Sequence, residues 1–201
     1  GICGRQSGWM YGCENYGVVR GRKDVGGIVG QAEPYILLEY AEDVLELTED
    51  SAERIRAAVE EGQLLGVPAK VGESLKTLID TYHMLIDPDY YPGGRFFQLE
   101  DGAFRGTYLL TDALTDGWES SVVQGIRADR ANFYGLCVGT TTREQWQAVL
   151  GAPDASVTLS EDDAYAMNLA DGTSDYYNYG AHQLRLHADA EGVLRSIFIT
   201  Q

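Results

Sequence analysis

The spacing of apolar residues along this chain changes from helical to extended and back again. From Ala41 to Leu65 (AEDVLELTEDSAERIRAAVEEGQLL), Val44, Ala52, Ile55 and Val59, with Thr48 between, recur at steps of three and four, which places them on one helix face. Glu73 to Ile86 does the same with Leu75, Leu78, Ile79, Tyr82 and Leu85, and Asp87-Pro88 ends it, because the residue before a proline is pushed out of the α region. The period then drops to two. RFFQLEDGAFRGTYLLTDA and SSVVQGIRADRANFYGLCVG predict strands, with Glu-Asp-Gly and Asp-Gly-Trp turns between the apolar stretches. GTTTREQWQAVLGAPD returns to helix. Its threonines can cap, Glu144 falls in the first turn, Trp146, Val149 and Leu150 share a face, and Gly151 with Pro153 beyond it stops the element. DAYAMNLAD and SDYYNYGAHQLRLHADAEGVLRSIFIT complete a second extended region, broken by Gly180 and by a tight turn at Asp189 to Gly192.

Two segments therefore share the order helix, Pro-Asp, antiparallel meander, with Val71-Gly72 and Val138-Gly139 at their starts. The expected fold class is α+β: a tandem module over residues 71–201, with halves 71–137 and 138–201, preceded by an amphipathic helix linker over 41–66. Gly66 and Pro68 place the boundary between linker and module at Gly62 to Gly72. Residues 1–40 have no helical period. Gly1-Ile-Cys-Gly4 returns as Gly27-Ile-Val-Gly30, an offset of about 26 residues that lies within the range of stacked repeats. Glycines at the corners permit positive φ there, so this region is expected to be a Gly-rich β-repeat remnant. The chain begins in mid-motif, and the expectation is a piece of a longer polypeptide.

Composition narrows the partners. The 201 residues are 44% hydrophobic, enough to bury a core in one or two domains. A net charge of -16 argues against nucleic acid and anionic membrane, whose binders cluster Lys and Arg. No apolar run approaches the roughly 18 residues of a membrane span, so membrane insertion is not expected. The acidic positions Glu42, Asp43, Glu46, Glu49, Asp50 and Glu53 fall early in the first helix, where the macrodipole favours them, and read as a solvated face. Cys3, Cys13 and Cys137 show no metal-ligand spacing and build no disulfide scaffold. DPDYYPGG and SEDDAY lack the calcium-loop pattern. There is no G-x-S-x-G elbow, H-E-x-x-H, P-loop or dinucleotide fingerprint. Cys137 with His182 or His187 as base and Asp189 as orienter is the one conceivable nucleophilic set, but FYGLCVG is an apolar strand in which an inert buried thiol is the expected occupant. No catalytic residue, metal or cofactor is assigned.

Aromatic residues give the binding expectation. Thirteen tyrosines and three tryptophans include the pairs Tyr90-Tyr91 and Tyr176-Tyr177, with Tyr179 two positions on. In a strand Tyr177 and Tyr179 share a face and Tyr176 takes the other. One face then shows rings outward unless helices or a second sheet cover it, and rigid amphipathic rings suit recognition. Tyr176, Tyr177, Tyr179 and Trp118 are the candidate binding residues. The competing reading is that these rings only fill the helix–sheet core.

CENYGVVRGRKDVGGIVGQ resembles the GLUG repeat of bacterial surface proteins through Asn15, Gly17, Val19, Gly21, Val25, Gly26, Gly27, Ile28 and Gly30. The resemblance covers residues 1–31 and implies an extracellular or cell-wall setting. GTTTREQWQAVLGAPD together with YYNYGAHQLRLHADAEGVLRSIFI is similar to the small SmpA-type lipoprotein modules and the halves of β-lactamase inhibitor protein. Gly139, Thr141, Glu144, Trp146, Leu150, Gly151 and Pro153 carry the helix part, and Tyr179, Leu184, Leu186, Asp189, Gly192, Val193 and Leu194 the hairpin; His187 stands where that group has an aromatic residue. This likeness implies a fold whose sheet binds other proteins or scaffolds an envelope complex. The expectation is a non-enzymatic surface module that binds a protein or glycan through an aromatic sheet face. An inhibitor or scaffold acting on one envelope protein is the alternative, and a cysteine hydrolase the remaining one.

Overall fold

The structure, a computed structural model, describes residues 3–6, 29–32, 47–64, 67, 69–81, 89–98, 106–112, 117 and 120–201. Strands β1 (Cys3–Gln6) and β2 (Val29–Ala32) pair in parallel, Cys3 opposite Val29 and Gln6 opposite Ala32. That register is the offset at which the Gly-Ile-x-Gly motif recurs. Helix α1 (Glu49–Glu60) starts where Thr48 N–H donates to Ser51 Oγ at 3.0 Å. It ends in a Schellman motif: Gly62, at φ +66°, donates to the Val59 carbonyl and Gln63 to the Ala58 carbonyl. The left-handed turn needs glycine there. The helical period reads back to Ala41, but residues 41–46 lie outside the described ones.

Helix α2 (Leu75–Thr81) leads to β3 (Asp89–Tyr91), β4 (Gly94–Gln98), β5 (Thr107–Thr111) and β6 (Gly125–Ala128). A small hairpin, β7 (Asn132–Phe133) with β8 (Leu136–Cys137), precedes helix α3 (Arg143–Leu150). The α3 cap is a reciprocal box: Gln145 N–H reaches Thr142 Oγ1 and Gln145 Oε1 accepts from Thr142 N–H at 2.8 Å. Then come β9 (Ala155–Thr158), α4 (Glu161–Ala166), β10 (Gly172–Tyr179), β11 (His182–Asp189) and β12 (Leu194–Thr200). The extended reading of DAYAMNLAD is corrected at its start, where Asp163 to Ala166 belong to helix α4; Ser160 Oγ caps α4 by accepting from Asp163 N–H.

The chain is α+β, built on one antiparallel sheet in the order β3-β4-β5-β6-β12-β11-β10-β9. The meanders are not separate sheets. Their last strands, β6 and β12, pair directly, with Ile126 opposite Ile199 and Gly125 opposite Thr200. Because strand side chains alternate, one row of registered positions decides the core: Phe97, Leu109, Ile126, Ile199, Leu184 and Tyr177 lie side by side across β4-β5-β6-β12-β11-β10, and all are buried. Ile55 and Val59 of α1, Leu75 and Leu78 of α2 and Trp146 of α3 belong to the same core. The helix expected as a linker is therefore part of the folded module, and Gly62 to Gly72 does not separate it from the sheet.

One carboxylate sits inside this helix–sheet interface. Asp175 of β10, fully buried, takes a forked pair from Arg143 (2.9 and 2.7 Å), with further bonds from Ser156 Oγ (2.6 Å), Gln147 Nε2 (2.8 Å) and the Trp146 indole (3.1 Å). Burial alone would raise its pKa, but these donors, Arg143 foremost, outweigh burial and hold the carboxyl below its ordinary range. It ties α3 to the sheet. Among the described residues, no helix is long and apolar enough to cross a membrane.

Candidate functional site

The alternation that buries one face delivers a second row to the other. Tyr108, Arg127, Phe198, Arg185 and Tyr176 stand in register across β5-β6-β12-β11-β10, so aromatic ring and guanidinium alternate along the row. The Arg127 guanidinium carbon lies 5.4 Å from the Tyr108 ring centre and 5.5 Å from that of Phe198. Arg185 lies 4.7 Å from Phe198 and 5.6 Å from Tyr176. Each cation meets a ring face on both sides, a contact stabilised by the ring quadrupole and worth most where water is displaced. Phe96 extends the row edge-on to Tyr108 at 5.5 Å between centroids. Phe198, at the centre, is only 6% exposed.

This row floors a groove of about 380 Å³. Its wall is the end of α4 and the residues after it, Ala166 to Asn168, and its other side carries Gln124, Gln183 and Tyr91. No Asp or Glu lines it among the described residues, in a chain with 31 acidic side chains against 15 Lys and Arg.

The two arginines differ in how well they are satisfied. Arg127 forks onto Asp129 at 2.8 Å through each of two nitrogens, and donates to the Met167 and Asn168 carbonyls at 2.7 and 2.8 Å. It thereby caps the C-terminal end of α4 and holds that segment against the sheet. Arg185 has no carboxylate partner among the described residues. Its Nε donates to Ser174 Oγ at 2.9 Å, while both terminal nitrogens reach only the Met167 sulfur at 3.6 Å, a weak acceptor. Burial pulls the Arg185 pKa below the usual arginine value.

Beneath the wall a buried polar chain fixes the Arg185 plane. His187 Nε2 lies 2.8 Å from the Ala170 carbonyl, which can only accept, so the proton is on Nε2 and Nδ1 accepts from Ser174 Oγ at 3.0 Å. Ser174 in turn accepts from Arg185. Burial lowers the His187 pKa, in agreement with a neutral ring whose two nitrogens take opposite roles.

Of the candidate binding residues among the described ones, Tyr176 alone lines this groove. Tyr177 and Tyr179 do lie on the face opposite Tyr176, as alternation requires, but that face is the helix-covered one. Tyr177 is 3% exposed, its hydroxyl donates to the Gly151 carbonyl at 3.1 Å, and burial with the nearby Asp175 raises its pKa. Tyr179 stacks on it at 6.4 Å with Arg56 of α1 over its ring. An exposed surface built from Tyr177 and Tyr179 is thus corrected to a packing role, set by the helices that cover them. Trp118 lies outside the described residues. Sequence reasoning missed Arg127, Arg185, Phe198 and Tyr108; the available signal was an arginine or ring at the off-core position of each strand.

The conceivable nucleophilic set does not assemble. The Cys137 thiol contacts the neighbouring Val138 carbonyl at 3.9 Å, His182 Nδ1 bonds the Glu60 carbonyl of α1 at 3.1 Å, and His187 is held by Ser174 and Ala170. Asp189 serves its own turn, accepting from Glu191 and Val193 N–H and from Arg195. Among the described residues, no group of three His, Cys, Asp or Glu side chains could hold a metal ion.

No protein-family profile and no curated protein sequence matches the chain. Among solved structures, a DUF4309 family protein, YjgB, from Bacillus subtilis subsp. subtilis str. 168 is similar at 11% identity and a TM-score of 0.47, over 76% of this chain and 97% of that one.

Proposed function

We propose that the chain is a non-catalytic binding module of a bacterial surface protein, and that it takes a protein or glycan ligand on the open face of its sheet. The observation that carries this reading is the registered row Tyr108, Arg127, Phe198, Arg185 and Tyr176 flooring a groove of about 380 Å³. A sheet face needed only for solubility would carry small or hydrated side chains; this one concentrates rings and guanidinium groups, the residue types that dominate binding hot spots. The extracellular or cell-wall setting rests on the glycine pattern of residues 1–31, and the parallel β1–β2 register at the motif's own offset supports a stacked repeat there.

The tandem reading has its own support. Each meander follows a helix, and the two meet through their last strands in antiparallel register, as two copies related by a local two-fold would.

The test is direct: wild-type protein and the Tyr176→Ala and Tyr108→Ala variants are screened against glycan and envelope-protein panels. Each variant is expected to lose about tenfold in affinity for any ligand of this face while melting cooperatively. Retention of every detected ligand by both variants contradicts the reading.

A further inference from the structure

Arg185 is the feature that a merely structural sheet face does not explain. Arg185 is half-buried, and a cation drawn partly out of water gains by meeting a counter-charge. Arg127, its neighbour in the row, meets that requirement through Asp129 and two backbone carbonyls. Arg185 has ring faces, one serine and one thioether. Its plane is nonetheless fixed, because Nε is anchored to Ser174, which is oriented by His187 and through it by the Ala170 carbonyl. Among the described residues, the two terminal nitrogens, which together form the fork that matches a carboxylate, meet only the Met167 sulfur at 3.6 Å. Methionine is the most deformable of apolar side chains, and here it occupies the groove wall beside an unfulfilled donor pair.

Building on the open-face reading, we infer that the groove is a subsite for an acidic sugar, whose carboxylate takes the Arg185 fork in place of the Met167 sulfur and whose ring lies against Tyr176. Charge complementarity selects an anion: with Arg127 already paired to Asp129, Arg185 is the cation of the groove that lacks a carboxylate among the described residues, and no acid stands in the described lining. Size selects a small unit, since about 380 Å³ falls within the roughly 300–1,000 Å³ of small-ligand sites, whereas a protein partner covers about 800 Å² of an open surface. The lining selects a saccharide over a bare anion: the Tyr176 ring suits the C–H face of a pyranose, and the Gln124 amide in the lining suits its hydroxyls.

The probes are digalacturonate, its neutral counterpart galactobiose, and a capped Asp-Glu dipeptide, titrated calorimetrically into wild-type, Arg185→Met and Arg185→Lys protein. Digalacturonate is expected to bind about tenfold or more tighter than galactobiose, and Arg185→Met to remove at least that factor. Arg185→Lys keeps the charge but loses the fork, and is expected to recover only a minor part of the affinity. Should Arg185→Met not fold, the wild-type side-chain N–H resonances of Arg185 read the same contact: they shift saturably with digalacturonate and not with galactobiose. Equal binding of the two disaccharides, undiminished binding by Arg185→Met, unshifted Arg185 resonances, or binding of the dipeptide in place of the sugar overturns the inference. A ligand of another class that depends on Tyr176 would leave the open-face reading standing while this inference falls; no ligand sensitive to Tyr176 removes both.

Discussion

Asp175→Ala is expected to destabilise the protein by about 3 kcal/mol, the low end for breaking a buried ion pair. The low end applies because the Arg143 side chain is 36% exposed and regains water when its partner is lost. The Trp146 indole N–H cannot, since Trp146 is fully buried. For a chain of this length the melting temperature is expected to fall by about 6–12 °C. The pH dependence has a definite sign. The folded carboxyl is held below its ordinary pKa, so in the window between folded and unfolded values only the unfolded chain binds the proton. The stability Asp175 contributes is therefore complete above about pH 4, the unfolded carboxyl value, and is lost as pH falls through the folded one. Thermal melts from pH 6 to pH 2 are expected to fall more steeply for wild type than for Asp175→Asn. Parallel curves would show that the five-donor cluster contributes no charge-dependent stability.

Trp146→Ala is expected to cost about 3–5 kcal/mol, the range for deleting a large buried ring. Among the described residues it is the largest fully buried side chain, and it joins α3 both to the apolar core and, through its indole nitrogen, to Asp175. The two effects are not independent. The Asp175→Ala/Trp146→Ala double variant is expected to lose less than the sum of the single losses, by about 0.5–3 kcal/mol in urea unfolding, because the shared hydrogen bond can be broken only once. Strict additivity would mean that the indole bond contributes nothing to stability.

Elements whose signals are local were legible in the sequence. The α3 helix is the clearest case: Thr142 and Gln145 form its cap, and Gly151, at φ +83°, stops it within the residues that spelled it out. The opposite faces taken by Tyr176 and Tyr177 followed from the strand period alone. Which face the helices cover did not, because alternation defines two faces and labels neither. That label comes from α1 and α3, which pack on Tyr179 and Tyr177 from distant parts of the chain. The α4 turn is too short to display a helical period, so the part of it within DAYAMNLAD reads as extended.

The groove was the least legible feature. Arg127 and Arg185 are each a single cation in an apolar strand, a position that patterning assigns to solvent. They become a row only when β6 pairs with β12, a contact between the two halves that no turn or spacing in the sequence specifies.

Tyrosine nitration of the native protein, mapped by mass spectrometry, tests most directly whether this sheet has one sealed and one open face. Tyr165, at 86% exposure, sets the rate for a free ring. Slower but clear modification of Tyr176 and Tyr108 in the groove is expected, with Tyr177 unmodified until the protein unfolds; nitration of Tyr177 as fast as Tyr176 would contradict a sealed helix-covered face.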